Sequence, residues 1–530
     1  MLVIIVGGGI AGLAAGAFLR ERTNFTIEIY ERGGPIDLTD NSPRRDDYGI
    51  AVAPNGVACL KLLGMDDPLE DLNGCELNQI LFRTSDNPTD VPIQKYNFRA
   101  LFGHPSVFCR RTAMIRWLAK KCIEDRPDGR EKVMIHYHCK TIGIDAARGE
   151  FQYINVKSPE DHPIVQRSAD LLICADGIEK IGRRAVLTAQ EAEKKGVMAG
   201  MVTSRANPNQ AKILQYSYMS VISPQDLRER PQIRFLAEGQ SERQIGPSTT
   251  LANWYHNAPQ KGMSSAEILK ALQQHKRIVL YPIDRQGYHQ MFAYGAMTDE
   301  ILARFGRGPL VCRPEDGSSA QSTPMTSPTS ANTRNVLRGS ILHGAPTEEA
   351  YETFQVFHEE ASSLLALHEE EGINMCMIRD SDPIDHWSVN GRTVLVGDGA
   401  HASVPHTGQG SSQALEDAET LSFILAKWQT EHSDMLQEND KPCFKEVFDK
   451  YEQVRIPKAH KAQLTARMSN GHVPGLEKMD LDKYNAEILL WKSTERTLAE
   501  IEKGLYNKFE TPSSDKHIKI NSHTSLGIIA

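Results

Sequence analysis

The chain has 530 residues, 40% apolar and 24% charged, which are the proportions of a soluble globular protein with two or three domains. Its 60 basic and 68 acidic residues give a net charge of −8, which argues against a nucleic-acid-binding surface. Nine scattered cysteines without a CxxC pair argue against a zinc site or a dithiol redox centre. Such a set suits a reducing compartment, so we expect a cytoplasmic protein.

The N-terminal segment has the pattern of a dinucleotide-binding unit. The apolar run Leu2–Val6 predicts a strand that is buried on both faces. The glycines of a GxGxxG motif come next: Gly7, Gly9 and Gly12. A helical pattern then ends at Arg22, and a second predicted strand, Thr26–Tyr30, ends at Glu31. Here the glycines permit a tight turn and the close approach of a pyrophosphate, and Glu31 can accept from ribose hydroxyls. An acid at this position disfavours a 2′-phosphate, so the sequence predicts FAD or NAD rather than NADP.

The same segment has no charged residue before Arg20, a property shared by signal peptides and membrane spans. It has no basic region at its start, and its glycines favour the nucleotide-binding interpretation. No other run approaches the roughly 20 apolar residues that a spanning helix needs, so we expect no transmembrane segment.

Three later segments place polar residues or glycines near predicted strand ends. Tyr48–Gly64 has a glycine turn and a Pro-Asn helix start, and Val107–Cys122 passes from a strand into a helix. Arg111 stands at the entry of that second helix, where a basic residue is usually solvated. The strand Asp170–Cys174 leads into an Asp-Gly pair at 176–177. Such a pair is usually a turn, but here it follows a sheet strand, at the edge where ligands of open α/β sheets bind.

The middle of the chain, 190–385, alternates strand-like segments with polar loops. The segments are Ile213–Ile222, Ile233–Leu236 and Arg277–Tyr281, and they predict a mostly antiparallel sheet. A Ser/Thr/Pro/Asn-rich stretch, 315–335, predicts a disordered surface insertion.

The pattern as a whole predicts an α/β fold. A Rossmann-like dinucleotide-binding domain would consist of 1–189 and 386–455, with the antiparallel β domain 190–385 inserted into it. Helical spacing over 484–505 predicts one C-terminal helix and then a frayed tail from about 511, together forming the segment 456–530.

The most distinctive stretch of the chain is Gly397–Gly410, which reads GDGAHASVPHTGQG. It lies between an apolar run, Thr393–Val396, and a helical pattern over Ser411–Trp428. Either of the first two serines could cap that helix, and an adjacent Glu-Asp pair near its start suits the helix dipole. A helix start preceded by glycines offers unpaired N–H groups to an anionic or electron-rich ligand.

Three motifs thus stand in a fixed order: GGGIAG near the start, ADG with a trailing arginine near 176, and GDGAHASVPHTGQG near 400. Together they resemble the single-component, FAD-dependent aromatic hydroxylases, the class with the p-hydroxybenzoate hydroxylase fold. The sequence looks most like the salicylate-hydroxylase-like monooxygenases of microbial aromatic and secondary metabolism. The resemblance covers roughly residues 1–470 and is specific in the ordered triplet and loose in the middle.

By position, the resemblance implies an FAD-binding domain and a substrate domain at 190–385. The residues that would hold the ADP part of FAD are Gly7, Gly9, Gly12 and Glu31. Gly49 would approach the flavin, Arg111 would contact the cofactor, and Asp398 would hydrogen-bond the ribityl chain. Asp176 and Gly177 match the motif that serves both FAD and NAD(P)H. The residues that would line the isoalloxazine are Pro405, Gly408, Gly410 and Ser411.

Two positions depart from the family pattern. Lys180 stands where the family usually has a serine after the Asp-Gly motif, and Gly399 turns the usual GDAAH into GDGAH. The first change affects the loop that takes part in NAD(P)H binding in the family.

The activity implied by the resemblance is a monooxygenation. NAD(P)H would reduce the flavin, and O₂ would form a C4a-hydroperoxide that hydroxylates an aromatic or polyketide-like small molecule. Without a second GxGxxG the chain differs from two-dinucleotide-domain reductases and Baeyer–Villiger enzymes, and without WxWxIP it differs from flavin-dependent halogenases. An epoxidase of the same fold stays open, as does an FAD-binding reductase or a non-catalytic flavoprotein. The substrate, the choice of NADH or NADPH and the oligomeric state are not predicted.

The substrate side offers two candidate catalytic residues. The family's Tyr-Arg pair reads Ser204-Arg205 here, and Arg205 either polarises a phenolate or carboxylate or is a surface arginine. Tyr281 is a second candidate, although a core tyrosine fits its context as well. His401 and His406 have no further ligands at metal-binding spacing, so we expect no metal site.

Overall fold

The first two strands form at the predicted residues and pair in parallel within a six-stranded sheet of the computed structural model. Every neighbouring pair in that sheet is parallel except the pair at one edge. In spatial order its strands are Ser388–Val389, Thr393–Leu395, Leu171–Cys174, Leu2–Val6, Thr26–Tyr30 and Met134–His136. Parallel neighbours need a crossover connection, and the helix Ile10–Arg22 supplies the first one.

The structure describes residues 1–39, 47–85, 94–125, 128–157, 163–179, 181–203, 212–238, 249–256, 275–305, 336–338, 341–367, 372–433, 442–469 and 481–504.

Long helices cover the six-stranded sheet. Ile10–Arg22 contacts Arg111–Ile123 and Gly410–Glu431, and the last of these also contacts Pro54–Leu62 and Lys445–Met468. One apolar core joins the strands and these helices, because the strands are apolar on both faces and each helix turns an apolar side inward.

A second, nine-stranded sheet is built mostly from the middle of the chain. Its strands, in spatial order, are Val336–Arg338, Ile341–Ala345, Ile373–Asp380, Lys212–Ile222, His289–Ala296, Lys276–Pro282, Thr250–His256, Gln79–Thr84 and Gln94–Lys95. All neighbours are antiparallel apart from Thr250–His256 and Gln79–Thr84. The predicted, mostly antiparallel sheet is confirmed.

The two faces of this sheet pack against different partners, because side chains alternate along each strand. Trp254, Ile278 and Leu280 lie on the face that packs against short helices of the same region. Leu251 and Val279 lie on the opposite face, in a core shared with residues that flank the parallel sheet, such as Ala53, Phe108 and Val404. The second face therefore looks toward the dinucleotide-binding part of the chain.

Two small antiparallel sheets complete the β structure. One comprises Val165–Ser168, Glu150–Asn155, Cys139–Asp145 and Val202–Thr203, and the other comprises Gly49–Val52, Ser106–Arg110 and Cys75–Leu77. The remaining helices are Pro68–Asp71, Phe98–Phe102, Ile181–Lys194, Pro224–Arg228, Phe235–Glu238, Asp299–Arg304, Thr347–Phe354, Glu359–Ser362, Asp398–His401, Leu481–Leu489 and Thr494–Glu502. Short 3₁₀ helices span Gly177–Glu179, Ser363–Ala366 and Pro405–Thr407.

Two of the predicted elements are wrong. Ile233–Leu236 is not a strand, since its residues form turns that lead into the short helix Phe235–Glu238. The single C-terminal helix is two helices, Leu481–Leu489 and Thr494–Glu502. They are separated because Ser493 is extended and caps the second helix by accepting from the backbone N–H of Arg496.

Several predictions lie outside the described residues or stay untested. The insertion 315–335 and the tail from 511 fall outside the described residues. The division into 1–189 with 386–455, 190–385 and 456–530 stays a prediction. Two strands from the first of those segments join the nine-stranded sheet, and the helix Lys445–Met468 crosses the last boundary.

Candidate active site

A cavity of about 360 Å³ lies between the carboxyl ends of the parallel strands and the second face of the nine-stranded sheet. Small-molecule sites typically measure about 300–1,000 Å³. The parallel-strand side contributes Gly9, Ile10, Ala11, Ala175, Gly177 and Asp398, and the antiparallel sheet contributes Leu251, Arg277, Val279, Tyr281, Phe292 and Tyr294. The cavity therefore joins the two places where the sequence predicts a cofactor and a substrate.

The GxGxxG glycines have different structural roles. Gly7 has a φ of +105°, and a side chain there would lie 2.4 Å from the carbonyl oxygen of Ala175. A Cβ atom on Gly12 would lie 1.9 Å from the carbonyl oxygen of Gly7, so the helix and the strand pack directly on each other there. A Cβ atom on Gly9 would meet nothing nearer than 4.0 Å, and Gly9 lines the cavity.

Glu31 lies beside the glycine turn rather than in the cavity lining. Its two carboxylate oxygens accept from the backbone N–H groups of Gly8, at 2.7 Å, and Gly33, at 2.6 Å. The carboxylate thus holds the turn at the end of the second strand, where a ribose would approach.

Asp176 and Gly177 take different positions. The Asp176 carboxylate accepts from the backbone N–H of Gly182 at 2.8 Å, at the start of the helix Ile181–Lys194. Gly177 lines the cavity and has a φ of +66°. Lys180, the departure from the family pattern, lies outside the described residues.

The backbone of Gly49 is held from both sides by the antiparallel sheet. Its N–H donates to Gln290 Oε1 at 3.0 Å, and its carbonyl oxygen accepts from the Tyr281 hydroxyl at 2.9 Å. A Cβ atom on Gly49 would lie 2.1 Å from Cγ2 of Ile283, so only glycine fits there. Burial raises the pKa of Tyr281 well above its usual range, so the hydroxyl stays protonated and keeps this hydrogen bond.

Arg111 begins its helix at the rim of the cavity. Its guanidinium lies 5.7 Å from the ring centroid of Tyr48, and both residues line the cavity. A cation over an aromatic face is a stabilising arrangement that fixes the direction of the side chain. Burial raises the pKa of Tyr48, so that ring stays neutral.

The glycine-rich loop Gly397–Gly410 forms the opposite wall. Asp398 follows Gly397, whose φ is +60°, and Gly408 ends a 3₁₀ turn in the left-handed region. The loop residues that line the cavity are Asp398, Ser403, Pro405, His406, Gly408 and Gly410.

The predicted serine cap of the following helix is wrong. The helix Gly410–Glu431 has Gln409 as its N-cap and no side-chain hydrogen bond at that position. Ser411 instead donates to the carbonyl of Ala51, and Ser412 Oγ accepts from the N–H of Ala53 at 2.9 Å. Both serines tie the loop to the neighbouring strand, and the uncapped helix start faces the cavity, where an anionic ligand could meet its N–H groups.

The predicted role of the Glu-Asp pair is also wrong, because the pair does not face the helix terminus. Asp417 is fully buried, and Oδ2 accepts from the N–H of Gly397 at 2.8 Å and from His401 Nε2 at 2.6 Å. Its other oxygen accepts from Arg455 Nε at 2.8 Å, and Arg455 also bonds Glu416. Burial alone would raise the pKa of Asp417, but His401 and Arg455 hold that pKa below its usual value.

The two histidines of the loop have protein partners. His401 pairs with Asp417, and His406 contacts Gln215 and Arg277. Within the described residues, no group of three His, Cys, Asp or Glu side chains is placed to hold a metal ion. The absence of a metal stays a prediction.

The structure thus brings together ten of the residues proposed from the sequence. Those in the cavity lining are Gly9, Gly49, Arg111, Gly177, Tyr281, Asp398, Pro405, Gly408, Gly410 and Ser411. Gly7, Gly12, Glu31 and Asp176 lie behind the lining, and Arg205 lies outside the described residues. Sequence reasoning missed Tyr48, Phe108, Arg277 and Tyr294. One signal was available, since Arg277 is the charged residue in the otherwise apolar run Arg277–Tyr281.

In the part of the chain that the structure describes, none of the helices combines the length and apolar character that a bilayer crossing requires.

Two family models match the chain. A model described as an NAD(P)-binding Rossmann-like domain matches residues 5–58, and one described as an FAD binding domain matches residues 325–457. The first contains the GxGxxG turn and Glu31, and the second contains the loop Gly397–Gly410.

Known proteins resemble the chain over most of its length. A hispidin-3-hydroxylase of Neonothopanus nambi is 24% identical over 81% of this chain and 81% of its own. An FAD-dependent urate hydroxylase of Mycolicibacterium vanbaalenii is 23% identical over 80% of each chain. A solved salicylate hydroxylase substrate complex covers 96% of both chains with a TM-score of 0.54 at 18% identity, and it shows the fold alone. The ordered motifs, the two family models and these relatives show that the chain is similar to the FAD-dependent, salicylate-hydroxylase-like aromatic hydroxylases.

Proposed function

We propose that this enzyme hydroxylates an aromatic or polyketide-like small molecule, with FAD as cofactor and NAD(P)H and O₂ as co-substrates. The observation that carries the proposal is the cavity between the glycine-rich cofactor loops and an aromatic-lined sheet face. Relatives with substrates of this class, such as the hispidin-3-hydroxylase, support it.

The residues of the cavity fit an extended dinucleotide. Gly9 leaves open space beside a helix start, and Gly7 and Gly12 close the turn behind it. Each oxygen of the Glu31 carboxylate accepts from one backbone N–H and has a second lone pair, with which it would accept from ribose hydroxyls. Arg111 and Asp398, which both line the cavity, would then contact the middle of the cofactor.

The redox-active end of the cofactor would lie at the loop Gly397–Gly410. The uncapped N–H groups at Gly410 would stabilise negative charge there without a charged side chain. Pro405 and Gly408 would lie against the ring system, and Gly49 would form the opposite edge. When bound, FAD supplies the electron transfer from NAD(P)H and the activation of O₂.

The remaining wall would bind the substrate and exclude water. Leu251, Val279, Phe292 and Phe108 present apolar or aromatic surface to the cavity. A dry, apolar wall suits the binding of a flat aromatic ring and limits side reactions with water.

The two candidate catalytic residues have different standing within this proposal. The Tyr281 hydroxyl bonds the Gly49 carbonyl, so we propose that Tyr281 acts by positioning that backbone. Arg205 stays a candidate for polarising the substrate.

The cysteines of the described residues carry no disulfide, which supports the proposal of a reducing, cytoplasmic environment.

The test is the cofactor content and the oxygen balance of purified protein. We expect bound FAD, NAD(P)H oxidation that increases with a suitable substrate from an aromatic and polyketide panel, and one ¹⁸O atom per product molecule from ¹⁸O₂. Asp398→Ala should lose FAD, whereas Asp66→Ala, at an exposed position outside the cavity lining, should retain it.

Full FAD loading without ¹⁸O incorporation across the panel would support a reductase or a non-catalytic flavoprotein instead. Normal FAD occupancy in Asp398→Ala would contradict the role of that carboxylate.

A further inference from the structure

The short strand Gly49–Val52 forms part of the cavity wall with one of its edges. Among the described residues it pairs with a single strand, Ser106–Arg110, and the pairing is antiparallel. In such a pair alternate residues turn their N–H and C=O groups away from the partner strand. Gly49 and Ala51 are the residues turned outward here, and both line the cavity.

The nine-stranded sheet holds one end of this outward edge. Gln290 Oε1 accepts from the N–H of Gly49 at 3.0 Å, and the Tyr281 hydroxyl donates to the carbonyl of Gly49 at 2.9 Å. The contact is direct, because a Cβ atom on Gly49 would lie 2.1 Å from Cγ2 of Ile283 and 3.3 Å from Cβ of Gln290. Both backbone groups of Gly49 are therefore bonded to the sheet that we assign to the substrate.

The cofactor loop holds the other end of the same edge. Ser411, in the first turn of the helix Gly410–Glu431, donates to the carbonyl of Ala51. Ser412 Oγ accepts from the N–H of Ala53 at 2.9 Å. One short strand thus connects the substrate sheet with the start of the cofactor helix.

Gln290 is a rigid partner in this connection. Its side chain is fully buried, and Nε2 donates to the carbonyls of Ser220 and Met291, both at 3.0 Å. A carbonyl can only accept and the N–H of Gly49 can only donate, so the amide has a single orientation. The two carbonyls belong to neighbouring strands of the sheet, and the amide cannot turn away without losing both hydrogen bonds.

The side chain of Gln290 is not among the residues that line the cavity, so it can affect a ligand only through Gly49. A buried N–H that loses its acceptor is costly unless the backbone turns toward another partner. Such a turn would move the edge of the strand, and the cavity lies directly beside that edge. The amide of Gln290 therefore controls the position of the cavity wall.

We propose that Gln290 is a positioning residue, which fixes the strand Gly49–Val52 where the edge of the flavin would lie. It thereby sets the distance between the cofactor and the nine-stranded sheet. The proposal rests on the proposed hydroxylase function and deepens it, because the transfer of an oxygen atom needs closely held partners. A misplacement of about 1 Å can lower the rate of such a step roughly a hundredfold.

Poor positioning has a defined chemical consequence in an enzyme of this kind. In productive turnover one oxygen atom enters the substrate RH and the other leaves as water, so that NAD(P)H + H⁺ + O₂ + RH gives NAD(P)⁺ + ROH + H₂O. Without transfer to the substrate, NAD(P)H + H⁺ + O₂ gives NAD(P)⁺ + H₂O₂. The fraction of NAD(P)H that yields H₂O₂ therefore reports how well the cofactor and the substrate are positioned.

The first test removes the acceptor and keeps the length of the side chain. In cofactor-free Gln290→Met, we expect faster hydrogen exchange in the peptide that contains Gly49, and FAD binding that is weaker by roughly tenfold. The FAD-loaded variant should show a changed visible circular dichroism of the flavin and a larger H₂O₂ fraction. Gln225→Met is the matched control, because Gln225 is exposed and donates to Glu229 outside the cavity lining.

A second variant, Gln290→Glu, makes the effect depend on pH. A carboxyl buried at position 290 would have a raised pKa, because burial disfavours its charge. When protonated it can accept from the N–H of Gly49 and donate to the carbonyl of Ser220, whereas the ionised form would face two carbonyl oxygens. Relative to the unmodified protein, its FAD affinity should be near normal at about pH 6 and fall as the pH rises to about 9, while the ratio for Gln290→Met stays constant.

Unchanged FAD affinity and an unchanged flavin spectrum in folded Gln290→Met would overturn the proposal, as would equal effects in Gln225→Met. A loss of thermal stability alone, with normal FAD affinity and a normal H₂O₂ fraction, would make Gln290 only a structural partner of Gly49. If Gln290→Met does not fold, a pH-independent affinity ratio in Gln290→Glu would overturn the proposal. No ¹⁸O incorporation by the unmodified protein would contradict the hydroxylase function and leave the exchange and FAD-binding results standing.

Discussion

At the scale of single residues, Gly9 and Gly12 belong to one motif but have different surroundings. Gly12 faces the backbone of Gly7, and a Cβ atom there would lie 1.9 Å from a carbonyl oxygen. Gly9 faces the cavity, with Arg111 Nη2 as its nearest neighbour at 4.0 Å. One glycine is therefore required by the packing of the protein itself, and the other by the space that we assign to FAD.

A pair of alanine substitutions separates these two requirements. Gly12→Ala must displace the helix from the strand, so we expect the cofactor-free protein to lose stability by about 1–3 kcal/mol, the usual cost of overpacking. Gly9→Ala should leave the thermal midpoint of the cofactor-free protein unchanged and weaken FAD binding at least tenfold. Differential scanning fluorimetry and FAD titration would measure the two effects. An undiminished FAD affinity in Gly9→Ala would contradict the placement of the cofactor.

At the scale of elements, the start of the helix Gly410–Glu431 depends on a buried ionic cluster. Asp417 holds the N–H of Gly397, and Arg455, from the helix Lys445–Met468, joins Asp417 to Glu416. The second helix is therefore a structural support of the cofactor loop, although it does not contribute to the cavity lining.

Removing the cation tests this coupling. Arg455→Leu leaves Asp417 and Glu416 buried with fewer partners, and breaking such a pair typically costs about 3–5 kcal/mol. We expect a loss of stability of that order, measured by urea unfolding, together with weaker FAD retention. The control is Arg496→Leu, because the Arg496 side chain is 69% exposed and an exposed pair contributes at most about 1 kcal/mol. Equal losses of unfolding free energy in the two variants would show that the buried cluster stabilises the protein no more than an exposed ion pair does.

The elements that could be predicted from the sequence are those with a strong local signal. Leu2–Val6 and Thr26–Tyr30 form at the predicted residues because apolar, β-branched runs between glycine or polar turns have few alternatives. Ile233–Leu236 is too short for periodicity to separate strand from helix, and the surrounding turns decide in favour of a helix. The predicted C-terminal helix is interrupted because Ser493 is extended and caps a second helix. The apolar spacing continues through both helices, so it does not reveal this cap.

The cofactor side of the site could be predicted for a related reason. Its glycines, Asp398 and Arg111 stand in motifs whose spacing is set by backbone geometry. The substrate side could not be predicted in the same way. Arg277 is hydrogen-bonded to Asn253 and His406, and His406 contacts Gln215. These three partners come from two other strands and a distant loop. No local sequence pattern predicts these contacts, because they depend on the strand order of the nine-stranded sheet and on the position of the loop Gly397–Gly410.

At the scale of the whole molecule, the six-stranded and nine-stranded sheets face each other across a shared core. Both the nine-stranded sheet and the helices beside the six-stranded sheet contain a buried neutral histidine. His289 lies in the nine-stranded sheet and His460 in the helix Lys445–Met468, and burial lowers the pKa of each to about 4. In the unfolded chain a histidine titrates near 6.5. Since both folded-state pKa values are depressed, the unfolded state binds more protons between about pH 6.5 and 4, and stability falls as the pH is lowered through this window.

We therefore expect acid to destabilise the protein well before its carboxylates are protonated. Each buried histidine contributes a slope of about 1.4 kcal/mol per pH unit within the window, because one proton is bound on unfolding. His289→Asn retains an N–H that can donate to the carbonyl of Gly287, as Nδ1 does at 2.9 Å, but cannot titrate. Urea midpoints measured across the window should fall less steeply in this variant than in the unmodified protein, and the two profiles should run parallel at neutral pH. Identical slopes throughout would mean that His289 is protonated in the folded state, and that its burial does not exclude the charge.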